Sequence, residues 1–262
     1  MGAKARAWLN RGLVVAVVLA GVVIDLGLPV ALWLRLTILA IGLVVGALVA
    51  FQQIPAFDPL RRIRWRVPVR GERVCAVSFD DGPSADTSRV LEILALHQVK
   101  ATFFVLSDNA RRHPAVLRAL SEQGHTVAVH GKSHTKLHHA SDAQVEHEIG
   151  TAVSELKALG VVPAPLYRSP HGLKSAAVFR VTNRLGFRIW AWSRGIWDTD
   201  RPAPEVLVRR ATRFACSGMV LLLHDGRGTE EKPDIEPMLS ALPHILERLR
   251  ARGFRFVTLD QA

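Results

Sequence analysis

Short apolar runs alternate with amphipathic stretches along the chain from about residue 72 onward. Runs of three to six apolar residues bounded by polar or glycine positions predict buried strands, and apolar positions repeating every three or four residues predict helices. Pro114 and Pro204 lie where two of the helices are predicted to begin. The predicted strands are 74–79, 101–106, 126–129, 166–168, 188–192, 219–223 and 256–259. The predicted helices are 87–97, 114–123, 142–159, 175–185, 204–214 and 235–251.

This alternation predicts a parallel α/β fold, either a barrel or an open sheet. In such folds the active site collects at the carboxyl ends of the strands. Several polar residues that could carry chemistry follow the predicted strands directly or closely. They are Asp80 and Asp81, His130, Arg168, Asp198 and His224.

The N-terminal part of the chain has a different pattern. Residues 12–52 contain only two charges, Asp25 and Arg35, and this stretch exceeds the roughly 20 residues that one spanning helix needs. A Gly/Pro turn at 27–29 favours two transmembrane helices at about 12–27 and 30–52, although a single span preceded by an interfacial helix stays open. We assign 1–52 to a membrane segment, 53–70 to a basic juxtamembrane linker and 71–262 to a globular domain that carries the candidate active-site residues.

The charge is concentrated beside this segment. The chain has a net charge of +11, and the first 70 residues hold nine basic and two acidic residues. Under the positive-inside rule a two-helix hairpin places the domain in the cytoplasm, and a single span places it outside, so an integral membrane location is predicted with the side left open. The domain shows no basic stripe interleaved with aromatic residues, so nucleic acid is not a predicted partner. The lipid bilayer is a predicted partner, because of the apolar N-terminal segment.

Cys75 and Cys216 are far apart in the sequence, and each lies in an apolar run. We expect two buried free thiols rather than a disulfide.

Two motifs supply candidate metal ligands. Asp80 and Asp81 are adjacent carboxylates at a strand end, where one can bind a metal ion while the other acts as a base. His130 and His134 are four residues apart, a spacing that lets two imidazoles share one metal ion. Together with Asp81 they form a set of two histidines and one carboxylate, which leaves coordination positions open for water and substrate.

The order of five motifs along the chain carries further information. Asp-Asp-Gly at 80–82, His-x-x-x-His at 130–134, Arg-x-Pro-x-Gly at 168–172, a Trp/Asp segment at 192–198 and Leu-x-His at 222–224 each follow a successive strand. This order resembles the polysaccharide deacetylases, carbohydrate esterase family 4, over about residues 72–262. The resemblance implies the distorted (β/α) barrel of the NodB-homology type, preceded here by the N-terminal transmembrane segment. It also implies removal of N-acetyl groups from amino sugars by a metal-dependent hydrolase.

The resemblance also implies roles for single residues. Asp81, His130 and His134 would hold one divalent metal ion, usually Zn²⁺, and Asp80 would be the general base for the attacking water. His224 would protonate the departing amine. In the remaining roles, Arg168 would orient Asp80, Asp198 would orient His224, Leu222 would line the acetyl pocket, and His171 and Trp192 would contact substrate.

The chain departs from the family pattern at positions that contact substrate. His171 replaces a usual aromatic residue, and Gly195 and Thr199 replace an Asp and a Trp of the fourth motif. The first expectation is an N-deacetylase of a cell-envelope polysaccharide such as peptidoglycan or an exopolysaccharide. The alternatives are a deacylase of a lipid-linked amino sugar at the membrane and a non-catalytic glycan-binding module. The complete set of metal and acid–base residues argues against the last.

Overall fold

The computed structural model describes residues 62–69 and 71–262, together with the helical residues 32, 33, 36, 37, 40–42 and 44. The chain divides into two compact units, Met1–Phe57 and Asp58–Ala262. Within the described residues, no helix is both long and apolar enough to cross a membrane. The rest of the two predicted transmembrane helices, 12–27 and 30–52, lies outside the described residues.

The described part of the second unit forms nine strands and seven α-helices, with two short 3₁₀ turns at Pro170–Gly172 and Asp198–Asp200. The strands are β1 (Ile63–Arg64), β2 (Val74–Asp80), β3 (Thr102–Leu106), β4 (Thr126–Gly131), β5 (Leu166–Tyr167), β6 (Arg188–Trp190), β7 (Arg194–Gly195), β8 (Met219–His224) and β9 (Arg255–Phe256). The helices are α1 (Thr87–Leu96), α2 (Ser107–Arg112), α3 (Pro114–Glu122), α4 (Asp142–Ala158), α5 (Ala176–Arg184), α6 (Pro204–Thr212) and α7 (Glu236–Ala251).

The strands form one parallel sheet in the order β1-β6-β5-β4-β3-β2-β8-β7, and β9 also pairs with β2. The sheet curls, because segments from its two ends contact each other. Arg66, just after β1, forms an isolated antiparallel bridge with Met219 at the start of β8, and the Val67 amide donates to the Gly218 carbonyl at 2.9 Å. The predicted parallel α/β fold is therefore confirmed, as a curled sheet that resembles part of a barrel.

Alternation along β2 separates the two faces of the sheet. Val74 and Ala76 belong to a buried cluster with Phe104, Trp190 and residues from other strands. Phe79 instead stacks on Phe103, with ring centroids 4.8 Å apart. Successive side chains of a strand point to opposite faces, so Ser78 and Asp80 share the face of Val74 and Ala76. That face carries the polar residues discussed below.

The boundaries of the elements differ from the sequence predictions in a few places. The last predicted strand, 256–259, is observed as Arg255–Phe256, and helix α2 and strand β7 were not predicted. Residues 63–64, which the sequence analysis placed in the linker, pair with Ile189 and Trp190 of β6. Two residues inside an arginine-rich run carry too little hydrophobic pattern to predict a strand.

Neither cysteine forms a disulfide, and they differ in exposure. Cys75 is buried, as expected, and Cys216 is exposed, so the expectation of two buried thiols is wrong for Cys216. Cys216 lies in the turn before β8, where its Sγ accepts a hydrogen bond from the Arg66 guanidinium at 2.6 Å.

Candidate active site

The two aspartates occupy the carboxyl end of β2. Asp80 is aligned with His224 in the pairing of β2 with β8, and both aspartates are buried. Asp81 follows with a φ of 73°, a left-handed conformation that is uncommon for residues other than glycine. The change in backbone direction separates the two carboxylates, which make different contacts.

The predicted histidine pair faces Asp81. His130 lies near the carboxyl end of β4. His134 lies in the following loop with a φ of 62°. The Nε2 atoms of His130 and His134 lie 3.3 and 3.1 Å from Asp81 Oδ1. One ligand atom from each of the three residues can be chosen so that all lie within 4.8 Å of one another. The structure thus brings the three predicted metal ligands together.

Three observations indicate that this cluster fits a metal ion. Asp81 Oδ1 is buried and lacks a hydrogen bond of normal geometry. His130 Nδ1 lies 2.8 Å from the Arg168 carbonyl oxygen, which can only accept, so Nδ1 carries the proton and Nε2 presents a lone pair. Ligand atoms about 2.0–2.1 Å from one tetrahedral Zn²⁺ are about 3.3 Å apart, close to the 3.3 and 3.1 Å that separate the two histidine nitrogens from Asp81 Oδ1.

The surrounding charges favour the ionised form of Asp81. Burial alone raises the pKa of a carboxyl group, but when the His130 and His134 rings are protonated their hydrogen bonds and charge outweigh burial and hold the pKa of Asp81 well below its usual range. Its Oδ2 accepts a hydrogen bond from the Gly228 amide at 2.8 Å. Asp81 therefore offers a carboxylate to this site.

Arg168 holds the neighbouring carboxylate of Asp80. Its side chain is 1% exposed, and one terminal nitrogen donates to Asp80 Oδ1 at 2.7 Å and to Ser78 Oγ at 2.9 Å. The other two guanidinium nitrogens donate to the carbonyls of Trp190 and Ala191 at 3.3 and 3.1 Å. Its charge and hydrogen bonds fix Asp80 Oδ1 and leave Oδ2 on the side of His130 Nε2, 3.9 Å away.

His224 and Asp198 form a second pair at this end of the sheet. His224 Nδ1 lies 2.9 Å from Asp198 Oδ1, and the His224 amide donates to Asp198 Oδ2 at 2.7 Å. Burial lowers the pKa of His224, but the Asp198 carboxylate outweighs it and raises that pKa to about 9. Because Nδ1 faces Asp198, Nε2 is the ring atom left for another partner.

The predicted substrate residues lie around this cluster. Leu222 pairs with Ser78 and shares the polar face of β8 with His224. The Trp192 ring lies 5.8 Å from the Arg168 guanidinium carbon. The His171 ring is 4.3 Å from the ring of His134.

Several residues that shape the site were not predicted. The Asn109 side-chain amide donates to the carbonyls of Asp81 and Gly228 at 2.6 and 2.8 Å, which connects two loops. Gly226 approaches Asp81 so closely that a Cβ on it would lie 2.4 Å from the Asp81 carbonyl oxygen. These contacts join residues more than 25 positions apart, and no local pattern indicates them.

Glu148 of α4 was also missed, although it holds the loop between the two histidines. Its carboxylate accepts hydrogen bonds from the amides of Lys132 and Ser133 at 3.0 and 3.2 Å. It also accepts from the hydroxyls of Ser133 and Thr135 at 2.8 and 3.2 Å. In the sequence it is one of several charged residues on a helix.

We expect Glu148→Gln to weaken metal binding by about tenfold, because partners behind the ligands typically contribute at least that much to affinity. The amide oxygen can still accept from both backbone amides, but the other acceptor becomes an NH₂ donor, so the hydroxyls of Ser133 and Thr135 lose the oxygen to which they donate. The affinity is measured by competition for Zn²⁺ with a chromophoric chelator. Glu146→Gln is the matched control, since Glu146 lies on the same helix and pairs with Arg184 at the surface. Equal affinities of the two variants would contradict the prediction.

Residues 68–190 match the family model described as polysaccharide deacetylase. A peptidoglycan-N-acetylglucosamine deacetylase of Bacillus cereus is 30% identical over 207 residues, covering 78% of this chain and 94% of the relative. A chitooligosaccharide deacetylase of Bradyrhizobium sp. is 30% identical over 214 residues, covering 78% of this chain and 98% of the relative.

Solved structures agree with these matches. A crystal structure of a peptidoglycan N-acetylglucosamine deacetylase superposes with a TM-score of 0.72 at 25% identity, covering 78% of this chain and 96% of the other. A family 4 carbohydrate esterase from Streptomyces lividans, solved in complex with acetate, gives a TM-score of 0.66 at 26% identity, covering 74% of this chain and 96% of the other.

The fold and the site define a parallel α/β hydrolase with a cluster able to bind a metal ion at the carboxyl ends of its strands. The chain belongs to the polysaccharide deacetylases, carbohydrate esterase family 4. The family resemblance found in the sequence is confirmed, and so is the prediction that the chain is a deacetylase.

Proposed function

We propose that this chain removes N-acetyl groups from amino sugars of a cell-envelope polysaccharide by metal-dependent hydrolysis. The proposal rests on how the side chains are arranged at the carboxyl ends of the strands. A cluster of Asp81, His130 and His134 is flanked by a buried carboxylate, Asp80, and by a histidine with a raised pKa, His224. An amide hydrolase needs these three components: an electrophilic centre, a base and an acid.

Asp81, His130 and His134 would hold the divalent ion, and their donor set suits Zn²⁺. When bound there, the ion supplies Lewis acidity toward water and toward the acetyl carbonyl. Asp80 accepts the proton that the attacking water releases. Arg168 orients Asp80 through the hydrogen bond from its guanidinium to Oδ1.

His224 supplies the acid for the second half of the reaction. A group with a raised pKa keeps its proton below that pKa, so His224 is protonated at neutral pH and loses the proton as the pH rises through about 9. Nε2 gives this proton to the amine nitrogen as the carbon–nitrogen bond breaks. Asp198 fixes the orientation of the ring and stabilises the charged form.

The remaining predicted residues act on the substrate. Leu222 offers an apolar side chain beside Ser78 for the acetyl methyl group. His171, next to His134, and Trp192, next to Arg168, line the approach of the sugar. The replacement of an acid by Gly195 also fits this arrangement, because a Cβ there would lie 3.0 Å from the Trp192 ring nitrogen.

The relatives support the class of substrate. Those that match most of this chain are named for peptidoglycan N-acetylglucosamine and for chitooligosaccharides, both of which are N-acetylated glycans. A lipid-linked amino sugar is a second candidate, and the apolar segment directly ahead of the domain favours it.

We also propose that residues 12–52 tether the enzyme to a lipid bilayer. The support is the near absence of charge in this segment and the four arginines at 61, 62, 64 and 66 that follow it, since Arg and Lys flank segments at the headgroup region. Among the described positions, Leu32, Trp33, Leu36, Ile41 and Val44 expose apolar side chains on helical backbone.

Acetate release by the full chain in detergent tests the reaction. With N-acetylglucosamine oligomers as substrate, we expect release that stops after chelation and returns with added Zn²⁺. A lipid-linked N-acetylated amino sugar is assayed in parallel. Release from the lipid-linked substrate alone would replace the polysaccharide with the second candidate. A chain that binds Zn²⁺ but releases no acetate from either would contradict the proposed reaction.

A further inference from the structure

Large apolar side chains are exposed on one side of the domain. Trp65, Val69 and Phe214 are 38, 51 and 63% exposed. They come from two segments that meet in the fold. Arg66 donates to Cys216 Sγ and to the Ser217 carbonyl, and Val69 lies against Gly218, where a Cβ would be 3.2 Å from its Cγ2.

Arginines surround these apolar side chains. The guanidinium carbon of Arg66 lies 5.4 Å from the Trp65 ring centroid, and those of Arg213 and Arg194 lie 4.9 and 5.8 Å from that of Phe214. We call Trp65, Arg66, Val69, Arg194, Arg213 and Phe214 the arginine–aromatic face. No one stretch of sequence contains it, which is why the sequence showed no basic stripe interleaved with aromatic residues.

Within residues 62–69 and 71–262, no acidic side chain forms an ion pair with Arg66, Arg194 or Arg213. Arg66 donates to a thiol and a carbonyl, and Arg194 donates to the Phe214 carbonyl at 3.1 Å. None of these acceptors is an acid, and neither 62–69 nor 213–218 contains an acidic residue. An anionic surface is therefore the complementary partner.

The face lies near the amino end of β8, at the opposite end of this strand from His224. Cys216–Gly218 precede β8, which begins at Met219 and ends at His224. Arg66 bridges to Met219 and Arg194 is aligned with Leu221, so three to five residues of strand at about 3.3 Å each, about 10 to 17 Å, separate the face from His224. A surface that contacts this face therefore does not cover the cluster of Asp81, His130 and His134.

We propose that the arginine–aromatic face docks on the anionic surface of the lipid bilayer that holds the N-terminal segment. This inference rests on the tether proposed above. Arginine and tryptophan favour the headgroup region, and exposed Val69 and Phe214 supply apolar side chains that can contact the acyl chains beneath it. Docking in this way turns the active site away from the lipid and toward a glycan polymer.

The native cysteines allow a direct test on the full chain. Cys216 adjoins the face and is exposed, whereas burial of Cys75 raises its pKa to about 12, so a thiol reagent at neutral pH labels Cys216. The labelled protein is reconstituted in vesicles of phosphatidylglycerol and phosphatidylcholine that contain a headgroup nitroxide quencher. A second label is placed by Glu231→Cys in a Cys216→Ser background, since Glu231 is exposed and follows the carboxyl end of β8.

We expect strong quenching at Cys216 and little at position 231. Arg213→Glu should shift the docking equilibrium at least about fivefold toward the undocked state, since one basic residue near an anionic membrane contributes about that factor. Arg118→Glu is the matched control, because Arg118 is exposed on α3 and lies outside the face. Acetate release is expected to be the same for all of these proteins.

Three results would overturn the inference: no quenching at Cys216, equal quenching in phosphatidylcholine alone, or no effect of Arg213→Glu. If the chain shows one of these results but floats with the vesicles and releases acetate, the docking is wrong and the proposals of a tether and of the reaction still hold. A chain that does not float overturns the tether and the docking together, and acetate release then still reports on the reaction.

Discussion

Replacing Asp80 with asparagine is expected to lower kcat for acetate release by about 10²- to 10⁴-fold, the range contributed by a positioned general base. An amide has nearly the same shape as the carboxylate and still accepts a hydrogen bond from Arg168, but it cannot take a proton from water. Because the base acts in the transition state, KM should change little. The Zn²⁺ affinity should also change little, since Asp81 and the two histidines are intact.

The measurement is a comparison of kcat, KM and Zn²⁺ affinity for Asp80→Asn and Asp142→Asn. Asp142 is the matched carboxylate, because it lies at the start of α4 and pairs with Arg180 at the surface. We expect this control to behave as the unmodified protein. If Asp80→Asn with bound Zn²⁺ kept more than about a tenth of the activity, Asp80 would not be the base.

The fold was predictable because parallel strands are buried on both faces. The seven residues of β2 are all buried, and such strands read as continuous apolar runs bounded by polar residues. The two-residue strand Ile63–Arg64 has no such signal, and only its pairing with β6 makes it a strand. Cys216 shows the same limit, since its apolar neighbours in sequence do not reveal that the turn faces solvent.

The site residues that lie at the ends of strands could be predicted from the sequence. Asp80 and His224 end β2 and β8, His130 is the last but one residue of β4, and carboxyl ends of parallel strands meet at one edge. The supporting contacts of Asn109 and Glu148 could not be predicted, because they depend on which loops the helices α2 and α4 approach. Those contacts hold the left-handed turn at Asp81 and the loop between His130 and His134.

Arg168→Met is expected to destabilise the fold by about 3–5 kcal/mol, the cost of removing one partner of a buried ion pair. The side chain is 1% exposed, and its guanidinium carbon lies 3.9 Å from the centroid of the Phe104 ring. Methionine leaves the Asp80 carboxylate and the carbonyls of Trp190 and Ala191 without a donor. Lysine should not rescue the loss, because a single ammonium cannot reproduce the planar donor geometry that reaches Asp80, Ser78 and both carbonyls.

Unfolding of the full chain in detergent, followed by near-ultraviolet circular dichroism, measures this loss. Arg180→Met is the exposed control, and removing its surface pair with Asp142 should cost about 0–1 kcal/mol. The double variant Asp80→Asn with Arg168→Met separates pairing from packing, because it removes both charges. If the cost arises from an unpaired buried carboxylate, the double variant is less destabilised than the sum of the two single variants. Additive losses would instead assign the role of Arg168 to its packing against Phe104 and its backbone hydrogen bonds.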